Sequence, residues 1–236
     1  MATRNADIGS VVLVAAEGRE LAPLATRVPG RKLDWPLDFA WECGDLVLVA
    51  NGPGRRLAAK AVEEAARRVR IRAVVSAGFC GALDPALAVG DVFLGDTIVD
   101  PDNHVRYSAS EVGFPGTRPA CGAVASIDRV AVTAEEKREL RKTGAAVVEM
   151  EASAVAAWCR AADVPFFCIR VVSDTALESL GIDFNAVRDA EGRFSRTRII
   201  GSAALNPRCV PALLRLGRNS RVAARNLGDF LADCRF

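Results

Sequence analysis

Residues Val147-Val148-Glu149-Met150-Glu151-Ala152-Ser153 place two carboxylates two positions apart at the end of an apolar run, with small residues directly after them. In an extended strand, positions i and i+2 point to the same side, so Glu149 and Glu151 face one space with Met150 between them. Two acids and a thioether at a strand-to-helix junction suit a ligand that carries hydroxyls and an apolar ring. A second block, Pro165-Phe166-Phe167-Cys168-Ile169-Arg170-Val171-Val172-Ser173-Asp174, reads as a buried strand ending in Ser-Asp. Acids at the carboxyl ends of strands in α/β sheets line the crevice where ligands bind, and Ser-Asp equally suits a helix N-cap. Two more acids, Glu17 and Glu20, follow the first apolar run. Two glycine-rich stretches, Asn51-Gly52-Pro53-Gly54 and Ala77-Gly78-Phe79-Cys80-Gly81-Ala82-Leu83, let backbone come close to an anion, a water or a planar ligand.

The elements that must position these residues alternate. Val11–Ala15 reads as a first buried strand, and Glu17-Gly18-Arg19-Glu20-Leu21 opens a helix. Leu46–Ala50 is a strand that runs into the first glycine turn and an Ala-rich helix from Arg55 to Val69. Ala73–Ser76 is a strand that ends in the second glycine stretch, read as a loop. Residues 100–120 hold many Pro, Gly and Ser and read as a long loop or lid. Gly122–Ser126 is a strand. Thr133 starts a helix to Thr143, with Glu136 three residues on as a capping box. From Gly181 the pattern is irregular until two helical stretches, Val210–Arg215 and Arg221–Phe230. Alternating strands and helices predict a three-layer α/β/α sandwich around a mostly parallel, mixed sheet.

Composition narrows the chemistry. The 236 residues fit a single domain spanning 1–236, and half of them are hydrophobic. A net charge of +2 with interspersed signs argues against a nucleic-acid surface. Seven scattered cysteines, never spaced Cys-x-x-Cys, fit neither a disulfide framework nor a zinc site and point to a reducing, cytoplasmic setting. The N-terminal stretch, with Arg4 and an apolar run from Ile8 to Ala16, lacks the features of a signal peptide. No run approaches the roughly 20 apolar residues of a membrane span. The single histidine, His104, lies in the polar stretch Asp100-Pro101-Asp102-Asn103-His104, which leaves no Ser-His-Asp triad or multi-histidine metal site. Carboxylates, hydroxyls and backbone groups must do the chemistry.

Together the strand–Met–Glu–helix block and the strand–Ser–Asp block resemble the purine nucleoside phosphorylase and nucleosidase superfamily, whose methylthioadenosine/S-adenosylhomocysteine nucleosidases are the nearest well-known branch. The resemblance implies roles. Met150 and Glu151 would hold the ribose, Glu151 accepting from its hydroxyls. Asp174 would be the general acid that protonates N7 of the leaving purine, a task that burial favours, with Ser173 orienting it. Glu20 would activate water, with Glu17 as a second candidate. Ala77, Gly78, Phe79, Val130, Glu149 and Ser173 would border the base, and Gly52, Gly54 and Ser76 an anion or water site. Where the nucleosidases carry an aromatic residue, this chain has Arg129-Val130-Ala131-Val132, and Phe79 offers a substitute ring.

Gly81-Ala82-Leu83-Asp84-Pro85-Ala86-Leu87, Asp128-Arg129-Val130 with Thr133-Ala134-Glu135-Glu136-Lys137, and Leu205-Asn206-Pro207 leading to Pro211-Ala212-Leu213 are similar to the hopanoid-associated phosphorylases. That branch implies an adenosyl group carried on a hopane lipid. The implied activity is release of adenine from a 5′-substituted adenosine, by hydrolysis or phosphorolysis, without metal or organic cofactor and with phosphate as co-substrate in the second case. Phosphorylases of the superfamily hold phosphate with arginines. Here Ser76 precedes the second glycine stretch and Glu20 occupies the first loop, with Arg19, Arg55 and Arg56 as substitutes, and the acid favours water. The alternatives are a methylthioadenosine/S-adenosylhomocysteine nucleosidase and a non-catalytic nucleoside-binding protein of the same fold. A homo-oligomer, a dimer or higher, is implied. Leu180, Ile182, Phe184 and Phe194 suggest an apolar flap at the 5′ side, and Arg215, Arg218, Arg221 and Arg225 a weak contact with a membrane surface.

Overall fold

The computed structural model describes residues 9–236, so Arg4 and Ile8 of the N-terminal stretch lie outside the described residues. The chain runs β1 (Ser10–Ala15), α1 (Gly18–Arg27), β2 (Arg31–Lys32), β3 (Phe39–Cys43), β4 (Leu46–Ala50), α2 (Arg55–Ala66), β5 (Ile71–Ala82) and β6 (Val92–Asp100). It continues through β7 (Val105–Ser108), β8 (Ala120–Ser126), α3 (Ala134–Arg141), β9 (Val147–Glu149), α4 (Ala152–Ala162) and β10 (Phe166–Asp174). It ends in α5 (Arg196–Leu205), a short 3-10 turn at Pro207–Cys209, and α6 (Val210–Asp233).

The strands form one mixed sheet of ten, with β1 parallel to β4 and β5, and β10 parallel to β5. β5 is the branch point. Its first half lies between β1 and β10, and its end pairs antiparallel with β9 at Gly81 and Ala82. Because β9 pairs with β8, β8 with β6 and β6 with β10, this part of the sheet closes on itself. Period-2 alternation sends the side chains of β1 to both faces. Val12 and Val14 join a core with Ala58, Ala61 and Val62 of α2 and Val155 and Cys159 of α4. Val11, Leu13 and Ala15 join a second core with Leu21 and Leu24 of α1 and Ala223, Leu227 and Leu231 of α6. Helices therefore cover both faces, the layered α/β arrangement expected.

Three sequence expectations need correction. Residues 77–82 are strand, not loop, because β5 keeps pairing with β10 through Gly81. The glycines serve close approach there. A Cβ on Gly78 would lie 3.0 Å from Arg170 Nη1 and 3.0 Å from Glu20 Oε1. Residues 100–120 are not a lid, since β7 folds back on β6 as a hairpin and none of this stretch borders the cavity described below. The C-terminal region holds a helix that the irregular pattern concealed, α5. The two stretches after it are one helix, continuous through Gly217. Thr133 does cap α3, accepting from the Glu136 amide at 3.1 Å while Glu136 reaches back to the Thr133 amide.

α6 packs on α1 through Gly228, where a Cβ would sit 2.8 Å from Pro23 Cβ and 3.0 Å from the Leu24 amide nitrogen. Alanine at a helical glycine gains about 1 kcal/mol in propensity, but overpacking a tight contact costs about 1–3 kcal/mol. Both neighbours belong to the backbone or ring of α1 and yield poorly. Gly228→Ala should therefore lower the urea midpoint with an unchanged m-value, and a raised midpoint would mean the two helices separate easily.

Candidate active site

The carboxyl ends of β5, β9 and β10 and the start of α1 surround a cavity of about 610 Å³, a size ordinary for a small-molecule site. β10 is buried at every residue, yet it carries Arg170 at its centre, 1% exposed. The guanidinium donates to Ser76 Oγ at 2.6 Å and to Glu149 Oε2. Glu149 Oε2 also accepts from the amides of Glu151 and Ala152, both at 2.9 Å, and so fixes the start of α4. Its Oε1 has no hydrogen-bond partner among the described residues.

Glu149 and Glu151 share one space and Met150 lines the same wall, but not through strand alternation: β9 ends at Glu149, and the chain turns into α4 with Glu151 as its N-cap. Glu151 Oε1 accepts from the Gly54 amide at 2.8 Å. Gly54 has φ +96°, a left-handed conformation that aims its N–H at the acid, and a Cβ there would lie 2.7 Å from Arg188 Nη2. Burial, and then the charge of Glu149, push the Glu151 carboxyl up to about 8. Glu20 is buried and accepts from the Glu17 amide at 2.8 Å and from the Phe79 amide at 2.9 Å. Burial raises its pKa above the ordinary value, while the two amides pull the other way.

Across the cavity, Asp174 Oδ1 accepts from Ser173 Oγ at 2.7 Å, and Oδ2 is ion-paired with the ammonium of Lys137. Lys137 lies on α3, is 1% exposed, and also donates to the carbonyls of Thr175 at 2.7 Å and Glu178 at 3.0 Å. Burial of Asp174 is as expected, but it comes with a cation. The remaining wall is apolar and comes from residues 180–217, among them Leu180, Phe184, Phe194, Ile199, Leu213 and Leu216. Phe184 and Phe194 meet edge to face at 5.7 Å. Asp38 and Arg193 close one side of the rim, with Arg193 Nε and Nη2 each 3.0 Å from an Asp38 oxygen.

Among the residues singled out from sequence, Glu20, Gly52, Phe79, Val130, Glu149, Met150, Glu151, Ser173 and Asp174 border the cavity, as does Glu17 at the rim. Ala77, Gly78, Ser76 and Gly54 do not. Ala77, Gly78 and Ser76 lie on the interior part of β5, where Ser76 is bonded to Arg170, and the Gly54 amide is committed to Glu151 rather than open to an anion. Sequence reasoning missed Arg170 and Lys137. A lone charge inside an otherwise apolar strand was the available signal for Arg170. Lys137 had none, since α3 is charged along most of its length. Among the described residues no group of three or more side chains could hold a metal, and no helix is long and apolar enough to cross a membrane.

This fold and its acid-lined cavity define a member of the phosphorylase superfamily: the chain belongs to that family, whose model matches residues 10–120 and 108–197. It is an enzyme of the nucleoside phosphorylase and nucleosidase type. It is similar to the 5′-methylthioadenosine/S-adenosylhomocysteine nucleosidase of Staphylococcus aureus, 27% identical over 168 residues, 60% of this chain and 74% of the relative. The fold matches that nucleosidase from Neisseria meningitidis in complex with methylthio-immucillin-A, with TM-score 0.70 and 23% identity over 95% of this chain and 97% of the other. It also matches S-adenosylhomocysteine nucleosidase from Streptococcus pyogenes in complex with 5-methylthiotubericidin, with TM-score 0.70 and 19% identity over 96% of each chain.

A carboxyl raised from 4.5 to about 8 makes stability depend on pH. Through that window the unfolded chain has released the proton that folded Glu151 keeps, so stability should fall as pH rises from about 4.5 to about 8. The slope is at most about 1.4 kcal/mol per pH unit for one such group. Glu20 acts in the same direction. Urea melts at pH 5, 6.5 and 8 should show this decline, and Glu151→Gln should flatten it; an unchanged slope in the variant would mean that Glu151 is ionised throughout.

Proposed function

We propose that the protein hydrolyses the N-glycosidic bond of a 5′-substituted adenosine and releases adenine. The observation that carries this reading is the facing of a buried Asp174 by buried Glu20, Glu149 and Glu151 across one cavity. Asp174 is the general acid. As the C1′–N9 bond breaks, its electron pair moves onto the purine and Asp174 delivers a proton to N7. The sugar passes through an oxocarbenium-like state. Glu20 takes a proton from water, whose oxygen bonds to C1′. A carboxyl with raised proton affinity suits that base role, and burial supports Glu20 over Glu17, which caps α1 at the rim and pairs with Arg19. Glu151 accepts from the ribose hydroxyls and Met150 packs on the sugar face. Ser173, Val130, Phe79 and Glu149 border the base. Protons and water suffice for this chemistry, so no cofactor enters.

Hydrolysis is favoured over phosphorolysis by charge. A phosphate dianion at the nucleophile site would meet the acidic cluster of Glu20, Glu149 and Glu151, and the buried guanidinium of Arg170 is held by Glu149 and Ser76. Three more arginines line the cavity, but each is paired with an acid: Arg19 with Glu17, Arg129 with Glu136 and Arg193 with Asp38. Arg55 is bound to Asp100, Asp102 and the Ser126 carbonyl, and Arg56 to the Glu191 carbonyl.

The 5′ group is read as apolar, on the support of Phe184, Phe194, Ile199, Leu213 and Leu216. The hopane-linked adenosyl group is the extreme form of that reading, and methylthioadenosine the small one. Exposed Leu177, Ile200, Leu205 and Leu214 beside this wall favour the larger group, because they suit contact with a lipid surface. Arg218 and Arg221 are exposed there, whereas Arg215 and Arg225 are engaged by Glu178 and Asp229. A homo-oligomer, a dimer or higher, is a further part of the reading, and seven free cysteines support a reducing, cytoplasmic setting. A non-catalytic binding protein is disfavoured, since binding alone needs no acid at the leaving group.

Asp174→Asn should keep nucleoside binding and lower turnover by roughly two to four powers of ten, the usual weight of a general acid. Near-normal adenine release in that variant would place the acid elsewhere. Wild-type adenine release should proceed in phosphate-free buffer; strict dependence on added phosphate, with ribose 1-phosphate as product, would overturn hydrolysis. In a competition series of adenosines with growing apolar 5′ groups, affinity should rise with size. Preference for methylthioadenosine with rejection of long groups would exclude the lipid-linked substrate.

A further inference from the structure

We propose that Lys137 is a positioning residue for Asp174, orienting the carboxylate and supplying the proton that Asp174 passes to the leaving purine. This inference rests on the reading of Asp174 as the general acid. The Lys137 side chain leaves α3 and ends, 1% exposed, on three oxygens: Asp174 Oδ2, the Thr175 carbonyl at 2.7 Å and the Glu178 carbonyl at 3.0 Å. An ammonium has three donors, and all three are used. Burying a charge only to fill space is unfavourable, because an apolar side chain of similar volume is often as stabilising or more so. The position therefore calls for a reason other than packing.

The geometry around Asp174 gives one. Oδ1 accepts from Ser173 Oγ at 2.7 Å and Oδ2 from Lys137. Both oxygens are engaged, Oδ1 by a hydroxyl that also reaches the Cys80 carbonyl at 3.2 Å and Oδ2 by a cation, so a proton that Asp174 gives up is replaced most directly by a donor it already touches. The ammonium of Lys137 is in direct contact. The carboxylate of Glu178 is turned away, accepting from the Thr175 amide at 2.9 Å and pairing with Arg215 at 2.8 Å. As the C1′–N9 bond breaks, one proton moves from Lys137 Nζ to Asp174 and one from Asp174 to N7, leaving a neutral amine and an ionised carboxylate. Glu20 gains a proton from the attacking water. That proton leaves to solvent, and solvent returns one to Lys137 once adenine departs, so the cycle balances. Two of the three acceptors are backbone carbonyls of the turn after β10, so the same ammonium holds that turn, and with it Asp174, in place.

The test compares two leaving groups on one sugar. Methylthioadenosine needs protonation to leave, whereas the 4-nitrophenyl glycoside of 5-methylthioribose leaves as a stable anion. Full-length Lys137→Met, Lys137→Gln and Lys137→Arg are assayed with both, alongside Asp174→Asn. Lys137→Met should lower kcat for methylthioadenosine by about a hundredfold or more, with KM changed little and nitrophenolate release lowered less than about tenfold. Lys137→Arg, which keeps the cation, should recover part of the loss. If Lys137→Met does not fold, Lys137→Gln carries the same comparison. Equal losses on the two substrates, or near-normal turnover of methylthioadenosine, would overturn the proposal. If Asp174→Asn shows the leaving-group-dependent loss and the Lys137 variants do not, the inference alone fails; if Asp174→Asn also turns over normally, the assignment of Asp174 itself fails.

Discussion

A guanidinium inside a strand with no exposed residue has to be paired, and the pairing of Arg170 sets much of the site. Losing one partner of such a buried pair costs about 3–5 kcal/mol, so Glu149 is held where Arg170 can reach it. Glu149 in turn accepts the first amides of α4, which fixes the backbone at Glu151. Glu151 then takes the Gly54 amide at the head of α2. One ion pair thereby ties β10, the β9–α4 junction and the α2 turn into a single frame. Ser76 adds β5 to it.

That frame carries more negative than positive charge. Glu20, Glu149 and Glu151 share the space with one guanidinium, and water is largely excluded from all of them. Burial and like charge disfavour ionisation of all three together, and the proton retained by Glu151 is the consequence. Such a site rejects anions and accommodates hydroxyls and water. The small residues of β5 make the crowding achievable, because any side chain at Gly78 would meet both Arg170 and Glu20.

The elements that periodicity and capping specify were legible in the sequence. β1 and β4 are short, apolar and bounded by polar residues, and Thr133 with Glu136 announces the start of α3. The acids could be grouped because three of them end apolar strands or follow one directly. What escaped has a physical cause. Residues 77–82 look like a loop because glycine and alanine are weak strand formers, and only tertiary pairing with β10 and β9 makes them strand. Among its described residues α5 has none buried, and it shows little polar–apolar segregation, so its sequence carries no helical stripe. Lys137 was invisible because helical spacing tells which face a residue takes but not what lies opposite. The aromatic wall of the cavity had a partial signal in Phe184 and Phe194, whose contact needs the fold to bring them together.

The two ends of the cavity differ in a way that suits their chemistry. At the leaving-group end of the proposed reaction, one carboxylate stands against a cation with three used donors, so a proton drawn toward the purine through Asp174 has a replacement in direct contact. At the proposed nucleophile end, one buried cation stands among three buried carboxyl groups, so a proton released by water finds an acceptor in Glu20, whose affinity for it burial has already raised. Breaking the glycosidic bond moves negative charge onto the base and positive charge onto the sugar. In the proposed reaction the acids lie on the side where the sugar becomes positive, and the buried lysine on the side where the base becomes negative. Charges placed this way act at short range in a low-dielectric interior, which accounts for ionisable groups being kept out of water here despite the cost to the fold.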